Sequence, residues 1–185
     1  MPREDVHSMV KIAASLCLSV CLAFILPSCN HENAHAGDIV FYNPVEYNDF
    51  IVDHQNAIIR YMVRLTTAFD NGNDQEVRMQ YNALVARSDS SLIMIKQLSD
   101  YEGDTTLRNA ALELLSFYNQ VFHTEYKEMI DIFLKGDTAT DADITRLNAI
   151  VVRVREREEL LNQNLSLAQS QFAVKFKFEF DDPNL

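Results

Sequence analysis

The chain has 185 residues and sets 16 Lys and Arg against 27 Asp and Glu, a formal net charge of -11. Such a surface repels phosphate backbones, which excludes nucleic acid as an expected partner. Its cysteines, Cys17, Cys21 and Cys29, all precede the bulk of the chain, so nothing after Cys29 supplies a disulfide, a thiolate metal site or a cysteine nucleophile.

The first element in chain order is the apolar run Ile12 to Leu26, about 15 residues long. A helix needs roughly 20 such residues to cross a bilayer, whereas a secretory signal core fits this length. Arg3 beside Glu4 and Asp5 makes a poor basic leader. Met9-Val10-Lys11 makes a better one, so translation is expected to begin at Met9. Directly behind the run stands Leu26-Pro27-Ser28-Cys29. This stretch resembles a bacterial lipobox, and the resemblance implies cleavage before Cys29 and attachment of a diacylglyceryl group to its sulfur. Two or three acyl chains hold a protein to a membrane where one does so only marginally. The residue after the cysteine is Asn30 and not Asp, which favours the outer membrane. Cleavage takes away Cys17, Cys21, Arg3, Lys11, Glu4 and Asp5, and leaves 14 basic against 25 acidic groups, the same net charge.

The expected organisation is a signal peptide over 1–28, a lipidated tether and extended segment over 29–43, a helical domain over 44–177 and a tail over 178–185. Gly72, Gly103 and Gly136 lie 31 and 33 residues apart, and no proline occurs between Pro44 and Pro183. These marks divide the chain into four helices, expected at 44–70, 74–100, 105–135 and 141–176. Asn43, with Pro44 and Glu46 behind it, is a ready N-cap; Asn73 or Asp74, Thr105, and Thr140 or Asp141 open the others. A tetratricopeptide array is disfavoured, because a spacing that spans a helix pair in such repeats spans one helix here.

Each segment carries one apolar stripe at three- and four-residue steps: Ile51, Ile58, Met62, Leu65 and Phe69; Val77, Tyr81, Leu84, Leu92 and Ile95; Leu107, Ala111, Leu114, Tyr118, Val121, Met129 and Ile132; Leu147, Val151, Val154, Leu161, Leu165 and Phe172. Short turns force neighbours to run antiparallel. The expected fold is all-α, an antiparallel up-down-up-down four-helix bundle with short extended N- and C-terminal segments. At its end Phe172, Val174, Phe176, Phe178 and Phe180 alternate with Ala173, Lys175, Lys177 and Glu179, the period of a strand. Ile39, Val40, Phe41 and Tyr42 form a second apolar patch at the same pole. The two patches are expected to plug the base of the bundle, close to the membrane, with an exposed edge for a partner as the alternative.

Polar residues that fall on the apolar stripes are the candidates for chemistry. Steps of 100° per residue put Glu125 at the centre of the third stripe, Glu158 inside the fourth, Gln55 in the first with His54 on its flank, and Ser88 in the second. These five form the candidate interior polar or ligand site, with a His54 to Glu158 bond expected and Glu125 nearer Ser88. A buried carboxylate must pair or take up a proton. A histidine with two carboxylates is a metal or acid-base constellation, but di-iron bundles require Glu-x-x-His pairs, and Glu125-Tyr126-Lys127-Glu128 lacks the histidine. A layer that fixes helix register is the favoured reading. His31 and His35 stand four apart in a tether where no helix is expected, and His123 falls on a polar face. No glycine-rich phosphate loop, Gly-x-Ser-x-Gly, His-Glu-x-x-His, EF-hand loop or haem motif occurs.

The lipobox, the short tether and a helical domain beginning Tyr47-Asn48-Asp49-Phe50-Ile51-Val52 resemble uncharacterised helical surface lipoproteins of Gram-negative bacteria. The resemblance implies a place in the cell envelope and no catalytic residues. The expected function is therefore a membrane-anchored extracytoplasmic lipoprotein acting as a non-enzymatic interaction or scaffold module for an envelope protein. No catalytic residue, cofactor or metal is assigned. The alternative is a small-molecule or metal-binding envelope lipoprotein with a pocket inside the bundle around Glu125 and Glu158.

Overall fold

Local chemistry starts the first helix, α1 (Pro44–Asn71). The Asn43 carboxamide oxygen accepts from the Glu46 backbone N–H at 2.9 Å. The Glu46 carboxylate reaches back to Asn43 Nδ2 and to the Tyr42 backbone N–H, both at 2.9 Å, so orphan amides are satisfied on both sides of the cap. At the other end Gly72 takes φ 64°, a left-handed conformation that side chains resist, and donates its N–H to the Phe69 carbonyl. Asn73 then caps α2 (Asp74–Gln97) by accepting from the Gln75 and Glu76 amides.

A computed structural model describes residues 39–179, so Cys29, the signal segment, His31, His35 and the tail from Phe180 lie outside the described residues. The remaining helices are α3 (Thr106–His123), α4 (Glu125–Phe133) and α5 (Asp141–Phe176), with a 3-10 turn at Gly136–Thr138 before the last. Together α3 and α4 occupy the third expected helix, broken once. The described residues form an all-α four-helix bundle in which α1 packs on α2, α2 on α3, and α3 on α5. No strand is present among the described residues.

Two boundaries differ from the expected ones. Helix α2 stops at Gln97 because Tyr101 and Asp104 exchange both backbone hydrogen bonds, at 3.2 and 2.9 Å, in a tight turn that Gly103 allows. The third helix breaks at Thr124, whose backbone leaves helical values (φ -116°, ψ -77°). Its hydroxyl donates to the Gln120 carbonyl at 2.8 Å, a local bond that bends helices. The break turns the buried stripe of α4 relative to that of α3 by roughly half of one 100° residue step.

The stripes read from the sequence form the core, with Tyr81 and Val151 half-buried at its edge. Each large apolar side chain so buried contributes about 1.5–3 kcal/mol before conformational entropy is set against it. The alternating aromatic run is helical as far as the expected end at 176. Helix α5 continues through Phe176, which puts Phe172 and Phe176 on one face and leaves Val174 exposed, and Lys177 (φ 57°) ends it. The starts of α1 and α3 and the ends of α2 and α5 share a pole, where Phe172 packs against Tyr47, Tyr101, Phe176 and Phe178. Phe41 closes on Tyr47 and Phe50. Ile39 and Phe41 of the first patch and Phe172, Phe176 and Phe178 of the second therefore pack over the bundle base, while Val40, Tyr42 and Val174 stay exposed and Phe180 lies outside the described residues. Tyr47 donates its hydroxyl to the Ser99 carbonyl at 2.8 Å, and Lys175 pairs with Asp104 at 2.6 Å, so both ends of the domain are tied to the turn after α2.

Candidate functional site

Glu158 sits at the middle of α5, only 2% exposed. The fourth stripe places it there, since Val154, Leu161 and Leu165 flank it on the same face. Its Oε1 accepts the Tyr118 hydroxyl from α3 at 2.8 Å. One turn on, Asn162 donates to the Glu158 backbone carbonyl at 3.0 Å and accepts from Gln55 Nε2 of α1 at 3.3 Å. Gln55, Asn162, Glu158 and Tyr118 thus form a polar seam through three helices, joined at Glu158 through both its side chain and its backbone. A hydrogen bond of this kind contributes about 1 kcal/mol net, and leaving a buried partner unpaired costs more.

His54 does not reach this seam. Its Nδ1 stands 3.2 Å from the Ser91 hydroxyl of α2, and the ring packs edge-on against Phe50. The expected His54 to Glu158 bond is therefore corrected: on α1, residues 54 and 55 point to different neighbours, His54 to α2 and Gln55 to α5. Burial, and next the Arg87 guanidinium, push the imidazole down to about 4, so His54 is neutral at ordinary pH.

Glu125 is likewise displaced from its expected place. The break at Thr124 rotates the stripe, Tyr126 turns inward in its stead, and Glu125 meets Arg153 of α5 at 3.3 Å on the bundle's flank. It makes no hydrogen bond with Ser88, and it is half-buried beside Arg153. Ser88 is fully buried, and its hydroxyl lies 3.4 Å from Asn119 Nδ2. Asn119 donates also to Asp89 at 2.6 Å, and His123 pairs with the same carboxylate at 2.8 Å. Burial raises the Asp89 carboxyl, but the bonds from His123 and Asn119 outweigh it and hold the group below its usual range. His123, expected to be solvated, is half-exposed and paired.

The five candidates thus divide into four places: Gln55 and Glu158 joined through Asn162, His54 with Ser91, Ser88 beside Asn119, and Glu125 with Arg153 on the flank. Residues the stripes did not single out complete each group. Asn48, Ser91 and Asn162 are buried polar side chains on stripe positions and were open to the same wheel argument. Tyr118 reads in the sequence only as an apolar residue of the third stripe. Asn48 accepts from Gln169 of α5 at 3.1 Å, a second polar tie between the outer helices. Among the described residues no three His, Cys, Asp or Glu side chains are grouped to hold a metal ion, and no helix is long and apolar enough to cross a membrane. No family profile, curated protein or solved structure matches this chain.

Proposed function

We propose that this chain is a membrane-anchored extracytoplasmic lipoprotein, held in the cell envelope through lipid on Cys29, and that its bundle acts as a non-enzymatic interaction or scaffold module. The interior geometry carries the second half of this reading. Gln55, Asn162, Glu158 and Tyr118 satisfy one another across three helices, which suits a layer that fixes helix register and leaves recognition to the outer surface. A pocket built on Glu125 and Glu158 has less support, because these carboxylates face different neighbours, Arg153 and Tyr118.

The lipobox stretch and Asn30 support the address, with the outer membrane as the favoured membrane. The pole bearing Ile39 and Phe41 is the one nearest Cys29 in the chain. The intervening residues 30–38 span at most roughly 30 Å when extended, so an anchored bundle stands with its aromatic pole toward the lipid. Detergent phase partition tests the anchor. The full chain should enter the detergent phase and its N-terminal peptide should carry acyl mass on Cys29, while Cys29→Ser should stay aqueous. An unacylated Cys29 in a processed chain overturns the reading. Crosslinking in intact cells that repeatedly traps one envelope protein supports the scaffold role, and a small molecule retained in native mass spectrometry supports the pocket.

A further inference from the structure

Helix α5 is apolar on two opposite sides. One side is the core stripe; on the other, Leu160, Leu167 and Val174 repeat every seven residues and are 46%, 58% and 81% exposed. Residues 160–174 contain no Asp, Glu, Lys or Arg, the longest such run among the described residues of a chain that is 23% charged. Between the three apolar side chains the outer face presents amides, including Gln163, Asn164 and Gln171. The strip is about 21 Å long at 1.5 Å per residue.

We infer that this strip is a self-association surface, on which α5 of one copy packs against α5 of a second copy. Three observations select a second copy over a foreign partner. Two molecules of net charge -11 repel over most of their surfaces, and a two-fold contact on a charged face sets like charges together; this face sets none. Equal seven-residue spacing is self-registering, since a two-fold axis at Leu167 places leucine on leucine and the flanking apolar residues on each other in either helix direction. The interspersed amides each carry a donor and an acceptor, so each can pair with its own copy, and the strip offers no charge by which a charged partner would be steered. A contact of about four turns falls short of the roughly 800 Å² per side of a standard interface, so the pair is weak and concentration-dependent. The contact does not require the lipid anchor. Confinement of both copies to one membrane, on the reading proposed above, would raise its occupancy.

Disulfide trapping of the full chain in its own membranes tests this. Leu160→Cys, Leu167→Cys and Val174→Cys are each compared with Met79→Cys, which is 58% exposed on α2, and with the parent chain. Under mild oxidation Leu167→Cys should give a species of twice the chain mass, severalfold above both controls. Self-linking at all three positions marks parallel helices; self-linking at Leu167 alone, with Leu160→Cys trapping Val174→Cys, marks antiparallel ones. Leu167→Glu should remove the link formed through Leu160→Cys while circular dichroism stays unchanged. Trapping no higher than in Met79→Cys, or trapping of a protein of another mass, overturns the proposal. Detergent partition of the same samples reads the anchor separately, so failure of one reading is distinguishable from failure of the other.

Discussion

At His54 burial and charge act in the same direction. The ring is packed against Phe50, its Nδ1 is shared with Ser91, and Arg87 lies close enough to disfavour a second positive charge. Its pKa falls from 6.5 to about 4 on folding. Between these values the unfolded chain binds a proton that the folded chain does not, so stability falls as the pH is lowered from about 6.5 to about 4. The full loss is about 3 kcal/mol for this group, at 1.36 kcal/mol per pKa unit. Urea denaturation of the wild type and of His54→Gln at pH 7 and at pH 4 measures it. The stability gap between the two proteins should shift by about that amount in favour of the variant at the acid end; parallel losses in both would remove the assignment. His54 was legible in the sequence as a polar residue on the flank of a stripe. Its partner was not, because a helical wheel gives a side chain's direction about its own axis but says nothing of which neighbouring helix lies there. Glu158 illustrates the same limit: its burial was readable from α5 alone, while its bond to Tyr118 needed the placement of α3.

Helix ends separate residues that look alike in sequence. Thr105 and Thr140 both stand at N-caps, yet only Thr140 makes a capping box, accepting from the Asp143 amide while the Asp143 carboxylate accepts from the Thr140 backbone. Lys135 adds an ion pair to the same Asp143. At α3 the corresponding bond comes from Asp104, which accepts from the Thr106 amide at 2.7 Å. Thr140→Ala should therefore cost about 1 kcal/mol, whereas Thr105→Ala should stay within roughly 0.5 kcal/mol of the wild type. Urea midpoints at unchanged slope check both; equal losses would show that the hydroxyl bond at Thr140 contributes nothing. The count of helices and their stripes could be read from glycine and proline spacing, because these residues act locally on φ and ψ. The break at Thr124 carries no such mark. Threonine inside a helix is common, and Thr66, Thr67 and Thr145 make the same hydroxyl bond to the carbonyl four residues back without breaking α1 or α5, so only its backbone angles distinguish Thr124. Glu125 was misplaced for that reason, since its expected burial assumed an unbroken helix. The aromatic run after Phe172 was legible for the opposite reason: its alternation fits a strand, but Phe172 and Phe176 also fit the expected helix to 176, and contact with Tyr47 and Tyr101 agrees with the helix.

Across the whole molecule the two poles are built differently, and the difference governs how the bundle should open. At the pole of Gly72 and Gly136 the chain turns through short loops, with Phe69 against Phe133 as an aromatic contact. At the other pole the first and last helices end without a covalent connection between them, and Phe172 joins them through Tyr47 while reaching Tyr101 beyond α2. Aromatic packing there replaces a loop. Phe172→Ala should cost about 3–5 kcal/mol, the range for removing a buried phenyl ring from a core. The loss should also be uneven. Amides in the first two turns of α1 and the last two turns of α5 should exchange markedly faster with deuterium, while those near Phe69 and Phe133 should change only as far as global stability falls. Lys175 to Asp104 is too exposed on the lysine side to hold α5 in place of the ring, since pairs of that kind contribute about 1 kcal/mol or less. Uniform acceleration at both poles would mean that the bundle opens as a single unit and that the aromatic pole is not its separable end. A polarised response would instead leave the outer strip of α5 intact up to Leu167 and loosen it at Val174, so in a parallel pair the same variant should weaken self-linking through Val174→Cys more than through Leu160→Cys, and in an antiparallel pair it should weaken the Leu160→Cys to Val174→Cys link more than the one through Leu167→Cys.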